Sequence, residues 1–561
     1  MSAPSAEPFS AQSVADDEKQ TNYERNGEDD MAQHRSRSRR AERDPEKTKS
    51  TYSSDGSNQE KSEDKSDPQL VGALDKDLEI QLPSDQDGEE EEREEDPNIV
   101  FWDGPDDPAN PENWSVAVKW SQIALISALS FLTPLASSGF APGVPQLMKE
   151  FDNSSKTIAT FVVSVYVLGF AFGPLVVAPL SELYGRLWVY HISNIAFIAF
   201  TIACSRASGV GELCAYRFLA GVFGVAPITI GGGTIADLIH VDERGAAMAI
   251  WSLGPLMGPV VGPVIGGFLS HAKGWRWMFY LIAMMAGAIA LPAFFLMRET
   301  YAPILLERKT KRLREETGNQ DLTSKLDMKQ TPQEMFRLAI VRPMKLLCLS
   351  PICTLMCVYM AIVYGFLYLL FTTFTYVFEG SYKFSSNIVG LVYLGLGIGN
   401  MVGLAALGYG SDRLIKYLRA KHGGLQKPEY RLPPLIIAAP LIGIGLLIYG
   451  FCAKYKVFWF WPIFGTVFTG MGMIIGFMAV MTYLVDVYGF YAASAVAANT
   501  VLRSIFGGVF PLFALQMYDG LGLDWGNALL AFLAFAISPI PVLFWIYGER
   551  IRTSPRFQVK L

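Results

Sequence analysis

From Val118 onward the sequence repeats one unit, an apolar run followed by a short polar loop. Each run is close to the length of about 20 residues that an α-helix needs to cross a bilayer. Only structures that satisfy their own backbone hydrogen bonds survive in lipid, so each run is read as a spanning helix. Twelve such runs lie near 118–138, 157–179, 187–205, 212–236, 245–269, 276–297, 347–374, 387–408, 433–452, 458–485, 491–518 and 526–548. The expected fold is an all-α membrane protein of twelve transmembrane helices. Several runs carry Gly and Pro, which spanning helices tolerate because neighbouring helices re-satisfy the freed backbone groups.

The formal charge of −6 hides a sharp division of the chain. Up to Asn113 there are 13 Lys and Arg against 32 Asp and Glu, which leaves the rest of the chain with 34 basic and 21 acidic residues. An acidic segment with so few aromatics cannot bury enough apolar surface to offset its ordering entropy, so residues 1–113 are expected to be a disordered cytosolic tail. Its basic, Ser-rich run from Arg35 to Arg43 suits a kinase, a trafficking factor or lipid, or is simply a solvated charge run. The acidic run from Asp85 to Asp96 would repel phosphate, which argues against nucleic acid as a partner. No apolar stretch near Met1 resembles a cleavable signal, so insertion is expected to rely on the first span. The six cysteines lie mostly inside apolar runs without metal-type spacing, and neither disulfides, metal nor cofactor is expected.

The longest loop follows the sixth run. It divides the chain into a tail (1–113), an N-terminal six-helix half (114–298), a central cytosolic loop (299–346), a C-terminal half (347–548) and a short C-terminal tail (549–561). With both termini inside, the inner segments carry 22 Lys and Arg and the outer loops eight, which is the orientation the positive-inside rule prefers. The sequon at Asn153 then lies outside and is open to glycosylation, whereas that at Asn113 lies inside. The plasma membrane is the expected location, with the vacuolar membrane as the alternative, and the chain is expected to work as a monomer.

The two halves echo one another. GPLVVAPLSELYGR from Gly173 follows the second run, and GLAALGYGSDRLIK from Gly403 follows the eighth, each with an acid nine residues after its Gly, Glu182 or Asp412. Parallel repeats of six helices with a site between them suit alternating access. At Gly173, Glu182, Gly185 and Arg186 the sequence resembles the major facilitator superfamily, with Glu182 where the family commonly has Asp. NPENWS, PLSELYGR, RFLAGVFG, GWRWMFY, RETYAPILLERK and YGERIRTSPRF narrow the likeness to the fungal twelve-span drug:proton antiporters. This resemblance implies the major facilitator fold of two pseudo-symmetric halves and proton-coupled export of lipophilic or amphipathic compounds such as antifungal drugs or toxic metabolites.

Within the fifth run Gly254, Gly258, Gly262 and Gly266 repeat every four residues, with Pro255, Pro259 and Pro263 beside three of them. That spacing makes one smooth ridge for close helix approach. Gly395, Gly399 and Gly403 form another in the eighth run. The resemblance makes the fifth-run element an antiporter motif at the seam between the halves. Arg217 lies inside the fourth run, where a charge is expensive unless it faces protein or a wet cavity, or snorkels to the headgroups. The resemblance assigns it to proton coupling. It also implies that Arg186 bridges to Asp237 while Glu182 faces the N-terminus of the eleventh helix, a latch for the outward-facing state. Tyr364, Tyr368, Phe371 and Tyr376, together with Asn499 and Arg503 one turn apart, are the expected lining of a cavity for flat apolar cargo. No Asp, Glu or His stands near the middle of any run, which argues against polyamines as cargo and leaves the proton site open. A nutrient importer or a transporter-like sensor shares this pattern. No nucleotide loop, metal cluster or triad spacing supports an enzyme.

Overall fold

The computed structural model describes residues 98–240, 243–327, 331–422 and 427–555, without the side chains of Asp412 and Phe490. The basic run at 35–43 and the acidic run at 85–96 lie outside the described residues, as does the end of the C-terminal tail. Among the described residues, twelve helical stretches are long and apolar enough to cross a membrane. Six precede the central loop, namely Val116–Glu150, Lys156–Tyr184, Arg186–Arg206, Val210–Leu238, Arg244–Lys273 and Arg276–Leu296. After it come Pro351–Ser381, Ser386–Lys421, Pro428–Lys454, Phe460–Tyr488, Ala492–Val509 and Pro511–Thr553. The stretch Pro511–Thr553 holds the end of the eleventh span and the whole of the twelfth, which divide at Gly522, whose φ of 79° and ψ of 171° break the helix Pro511–Ile537. Lys156 at the start of the second span pairs with Asp519, and Lys454 at the end of the ninth pairs with Asp524. Both flanks of Gly522 therefore lie at the same end of the bundle, as the runs 491–518 and 526–548 require.

Twelve crossings return the chain to the side it started from. We call the side holding Val116 and Thr553 the terminal side and the other the distal side. The pseudo-symmetry is visible in packing: a β-carbon on Gly173 of the second span would meet Val222 and Val225 of the fourth, and one on Gly403 of the eighth would meet Met471 and Ile474 of the tenth. The two echoing glycines thus do the same work in the two halves.

The fifth-span ridge departs from expectation. Gly254, Gly258, Gly262 and Gly266 face the first span, at Ser127, Phe131, Leu135 and Gly139, inside the N-terminal half. The seam is instead met by the other face of this helix, where Val260, Pro263 and Gly267 touch Gly397, Gly390 and Ser386 of the eighth span. Four-residue spacing marks a ridge but carries no information about which neighbour fills it.

The tail boundary is also corrected, because residues 98–113 are folded. Ile99–Val100 pairs in parallel with Thr323–Ser324 of the central loop. Lys309 donates to Phe101 O (2.9 Å), Asp103 Oδ1 (2.6 Å) and Asp107 Oδ2 (3.4 Å). Asp107 is buried, and the Asp103 and Ala109 amides, with Lys309, hold its carboxyl below the ordinary carboxylate range despite the cost of burial. Such a group stabilises above its unfolded pKa, and that contribution is lost as pH falls through the lowered folded value. The central loop is itself largely helical, Ala302–Thr317 and Pro332–Leu349, the second begun by a capping box between Thr331 and Glu334. Lys309→Ala is expected to loosen the arm by about 1–2 kcal/mol, seen as faster proteolysis near residue 105 with transport intact. An unchanged cleavage rate would mean that the strap does not depend on Lys309.

Candidate functional site

Three groups of polar side chains stand out in the apolar body. The first lies at the terminal ends of the N-terminal half. Arg186 Nε donates to Asp237 Oδ2 at 2.7 Å, the bridge that the family resemblance implies. Thr300 Oγ1 donates to the same oxygen at 3.3 Å, and the Arg186 guanidinium lies 4.8 Å from the centre of the Tyr301 ring. Burial pushes the Tyr301 phenol up to about 12, so it stays neutral beside the pair. Glu299, which sequence reasoning left unassigned, organises this corner. Its buried carboxylate accepts from the amides of Arg186 (2.9 Å), Leu187 (3.2 Å), Thr300 (3.0 Å) and Tyr301 (3.0 Å). Two of these are open donors at the start of the third span, where an anion is favoured. Gly185, at φ +89°, brings the backbone so close to Glu299 that a β-carbon would run into the carboxylate. The RETYAP segment was the available signal, but nothing in its composition says that its Glu caps a helix more than a hundred residues earlier.

The resemblance places Glu182 at the eleventh-span N-terminus in the outward-facing state. Here Glu182 is exposed, and no hydrogen bond among the described residues joins it to that N-terminus. The cations acting on it are Arg186 and Arg342, the latter on the helix Pro332–Leu349.

The second group centres on Arg217, only 1% exposed, which excludes snorkelling to the headgroups. Its Nη2 donates to Ser137 O (3.0 Å) and Val163 O (3.2 Å). The first-span helix Val116–Ser138 ends there, so Ser137 O belongs to its last turn, whose carbonyls lack helical partners. A cation is the favoured cap at such an end. The rings of Phe140, Tyr166 and Phe279 surround the guanidinium at 5.1, 5.3 and 5.7 Å. Arg217 thereby ties the first, second, fourth and sixth spans together near the distal side.

The third group belongs to the C-terminal half. Arg503 lies over Tyr364 (4.7 Å) and Phe477 (5.3 Å), and Tyr364 packs on Tyr368 with ring centres 5.1 Å apart. Phe371 does not line a cavity. It is 1% exposed between Tyr368 and Tyr393, within the core. Asn499 is fully buried, its Nδ2 3.6 Å from Met481 Sδ. Tyr376 is partly buried against the same core.

The two halves meet mainly on the distal side. Every hydrogen bond and ion pair between them among the described residues lies there or near mid-depth: Lys156 with Asp519, Gln516 with Thr157, Ser164 with Gly508 O, and Ser137 with Tyr368. Gly390 meets the Pro263 carbonyl closely across the seam. Toward the terminal side, Gly245, Gly408 and Gly410 face open space. An apolar groove of about 460 Å³ lies between the seventh and twelfth spans, lined by Leu355, Leu543 and Phe544, and contains none of the site residues named above.

Residues 126–511 match the Major Facilitator Superfamily. The chain is 56% identical over 483 residues to the MFS-type transporter penM of Penicillium rubens, covering 86% of this chain and 95% of that protein. It is 55% identical to the efflux pump radE of Floropilus chiversii, covering 84% and 88%, and 50% identical to the MFS-type transporter atr4 of Stereocaulon alpinum, covering 84% and 85%. Among solved structures, it is similar to a D-xylose-proton symporter (TM-score 0.56, 14% identity, 75% of this chain and 98% of that one). It is also similar to the xylose transporter XylE of E. coli in a partially occluded inward open conformation (TM-score 0.57, 15% identity, 77% and 98%).

Proposed function

The chain belongs to the major facilitator superfamily and is a multi-pass secondary transporter, and from that premise we propose that it exports lipophilic or amphipathic small molecules by alternating access, driven by proton entry. The observation that carries the proposal is the one-sided seam: among the described residues, every hydrogen bond and ion pair between the halves lies distally or near mid-depth. With the termini in the cytosol, as the Lys and Arg bias favours, this is an inward-facing state, the one in which an exporter loads. The efflux pump among the relatives supports the direction of transport. Closing the terminal side would bring Glu182 toward the eleventh-span N-terminus, so the expected latch belongs to the opposite state from the one described here. The Arg186–Asp237 pair lies wholly within one half and is a brace for that movement.

Expression in a host stripped of its own pumps is expected to lower accumulation of at least one lipophilic toxicant, and a protonophore to restore it. Accumulation that rises on expression would favour the importer reading, and drive that persists with the proton gradient clamped would rule out proton coupling. The orientation has its own test at the sequons. Asn153 accepts from the Ser155 amide in an exposed distal turn, whereas Asn113 Nδ2 is engaged by Pro105 O (2.6 Å) and Asp107 O (3.0 Å). Glycosidase should shift the wild type but not Asn153→Gln in a plasma-membrane fraction; glycan on Asn113 would invert the topology.

A further inference from the structure

Arg503 sits about 16 Å along its helix from Ala492, near the middle of a bilayer. A charge at that depth is costly unless it is paired or faces a wet cavity. Its side chain is 9% exposed and its Nε is buried without an acceptor. Among the described residues it makes no ion pair and no hydrogen bond, in contrast to Arg217, whose Nη2 reaches two carbonyls. Only the faces of Tyr364 and Phe477 hold it. Ring faces fix the plane of a guanidinium but leave its N–H edge, the part that recognises carboxylates in a forked geometry, unused.

Neighbouring polar groups share the same deficit. Tyr359 Oη is a buried hydroxyl with no partner. Tyr359 lies against Gly476, next in sequence to Phe477. Asn499 Oδ1 is also unpartnered, one turn before Arg503, and exchanging its amide oxygen and nitrogen would present an NH2 donor there instead. Buried donors left unmatched are expensive, so a site with this composition lacks an acceptor.

We infer that these residues of the seventh, tenth and eleventh spans form the site for an acidic group of the cargo, an ionised carboxylate or phenolate, with Arg503 as its charge partner. The inference rests on the proposed transport of amphipathic small molecules and narrows it to lipophilic organic acids. The anion would pair with the guanidinium edge, Tyr359 and Asn499 would supply neutral donors, and the Tyr364 and Phe477 rings would cover adjoining apolar surface. A cationic cargo would be repelled, and a neutral one without acceptors would leave the donors unmatched.

The test uses purified full-length protein in nanodiscs and three fluorescent probes built on one dansyl-undecyl body: the carboxylic acid, its methyl ester and the primary amine. The acid is expected to bind at least about tenfold more tightly than the ester, as a charge-assisted pair in a dry site should allow, and the amine most weakly. Arg503→Gln should bring the acid down to the level of the ester. Arg503→Lys, which keeps the charge without the fork, should retain part of the preference and guards against a loss caused by misfolding. Equal binding of acid and ester by the wild type overturns the inference, as does an acid preference that Arg503→Gln leaves intact. If the preference is present and Arg503-dependent, yet proteoliposomes show no proton-driven movement of any probe, the acidic-group site stands and the export proposal falls.

Discussion

Replacing Gly390 with Leu is expected to stop transport while leaving both halves folded. Gly390 lies on the eighth span where it meets the Pro263 carbonyl and Val264 of the fifth, so a side chain there has backbone in its way. The fifth span cannot retreat, because Gly262 and Gly266 on its other face are already in contact with Leu135 and Gly139. Overpacking of this kind costs about 3 kcal/mol, and the cost falls on the closed distal seam alone. A two-state equilibrium biased by that amount moves by about a hundredfold, trapping the protein with its distal side open. Export should fall accordingly. A Cys placed at Ser386, in a chain lacking Cys452, should gain reactivity toward an impermeant maleimide. The contrast is Gly266→Leu, whose side chain would strike Gly139 O inside the N-terminal half and should lower the amount of folded protein instead. Normal export and unchanged Ser386→Cys labelling in Gly390→Leu would remove the distal closure from the mechanism.

That contrast also marks how far the sequence could be read. Helix count and the division into halves are legible because each follows from a local rule, run length or loop length, whereas the pairing of Arg186 with Asp237 comes only from the family resemblance. Which face of the fifth span meets the seam is not legible, because a helix with small residues on one side and Val260, Pro263 and Gly267 on the other offers two packing faces. Only the neighbours decide between them. The same holds for Glu299, whose partners are backbone amides far away in sequence. Phe371 and Tyr368 share one face with Tyr364, yet the packing of Tyr393 buries Phe371 and Ser137 engages Tyr368. The arm at 98–113 folds against a loop helix that composition alone marks as a charged connector.

With export driven by protons as proposed, Arg217→Ala is expected to abolish it and Arg217→Lys to impair it about tenfold, because Arg217 holds the segment of the first span that bonds across the distal seam. Its Nη2 holds Ser137 O, and Ser137 Oγ lies 3.0 Å from Tyr368 Oη of the other half. Ser137 Oγ donates to Pro134 O at 2.8 Å, so its single proton is committed and the tyrosine is the donor across the seam. Losing the guanidinium frees the end of the first span and with it the acceptor that Tyr368 needs. Ala also leaves a cavity among three rings and a buried carbonyl without its donor, a combined cost of about 3–5 kcal/mol. Lys keeps the charge and enough donors for both carbonyls, but it lacks the flat guanidinium that packs among the rings of Phe140, Tyr166 and Phe279. Among the described residues no carboxylate pairs with Arg217, so the coupling that the family resemblance implies would run through this geometry rather than through a proton held beside it. Tyr368→Phe removes the same cross-half bond from the opposite side. If Arg217 acts through Ser137 and Tyr368, adding Tyr368→Phe to Arg217→Lys should lower export no further, a coupling energy close to the whole effect of Tyr368→Phe. Strictly additive losses, measured at matched surface levels, would separate Arg217 from the closure and leave it a brace of the N-terminal half alone.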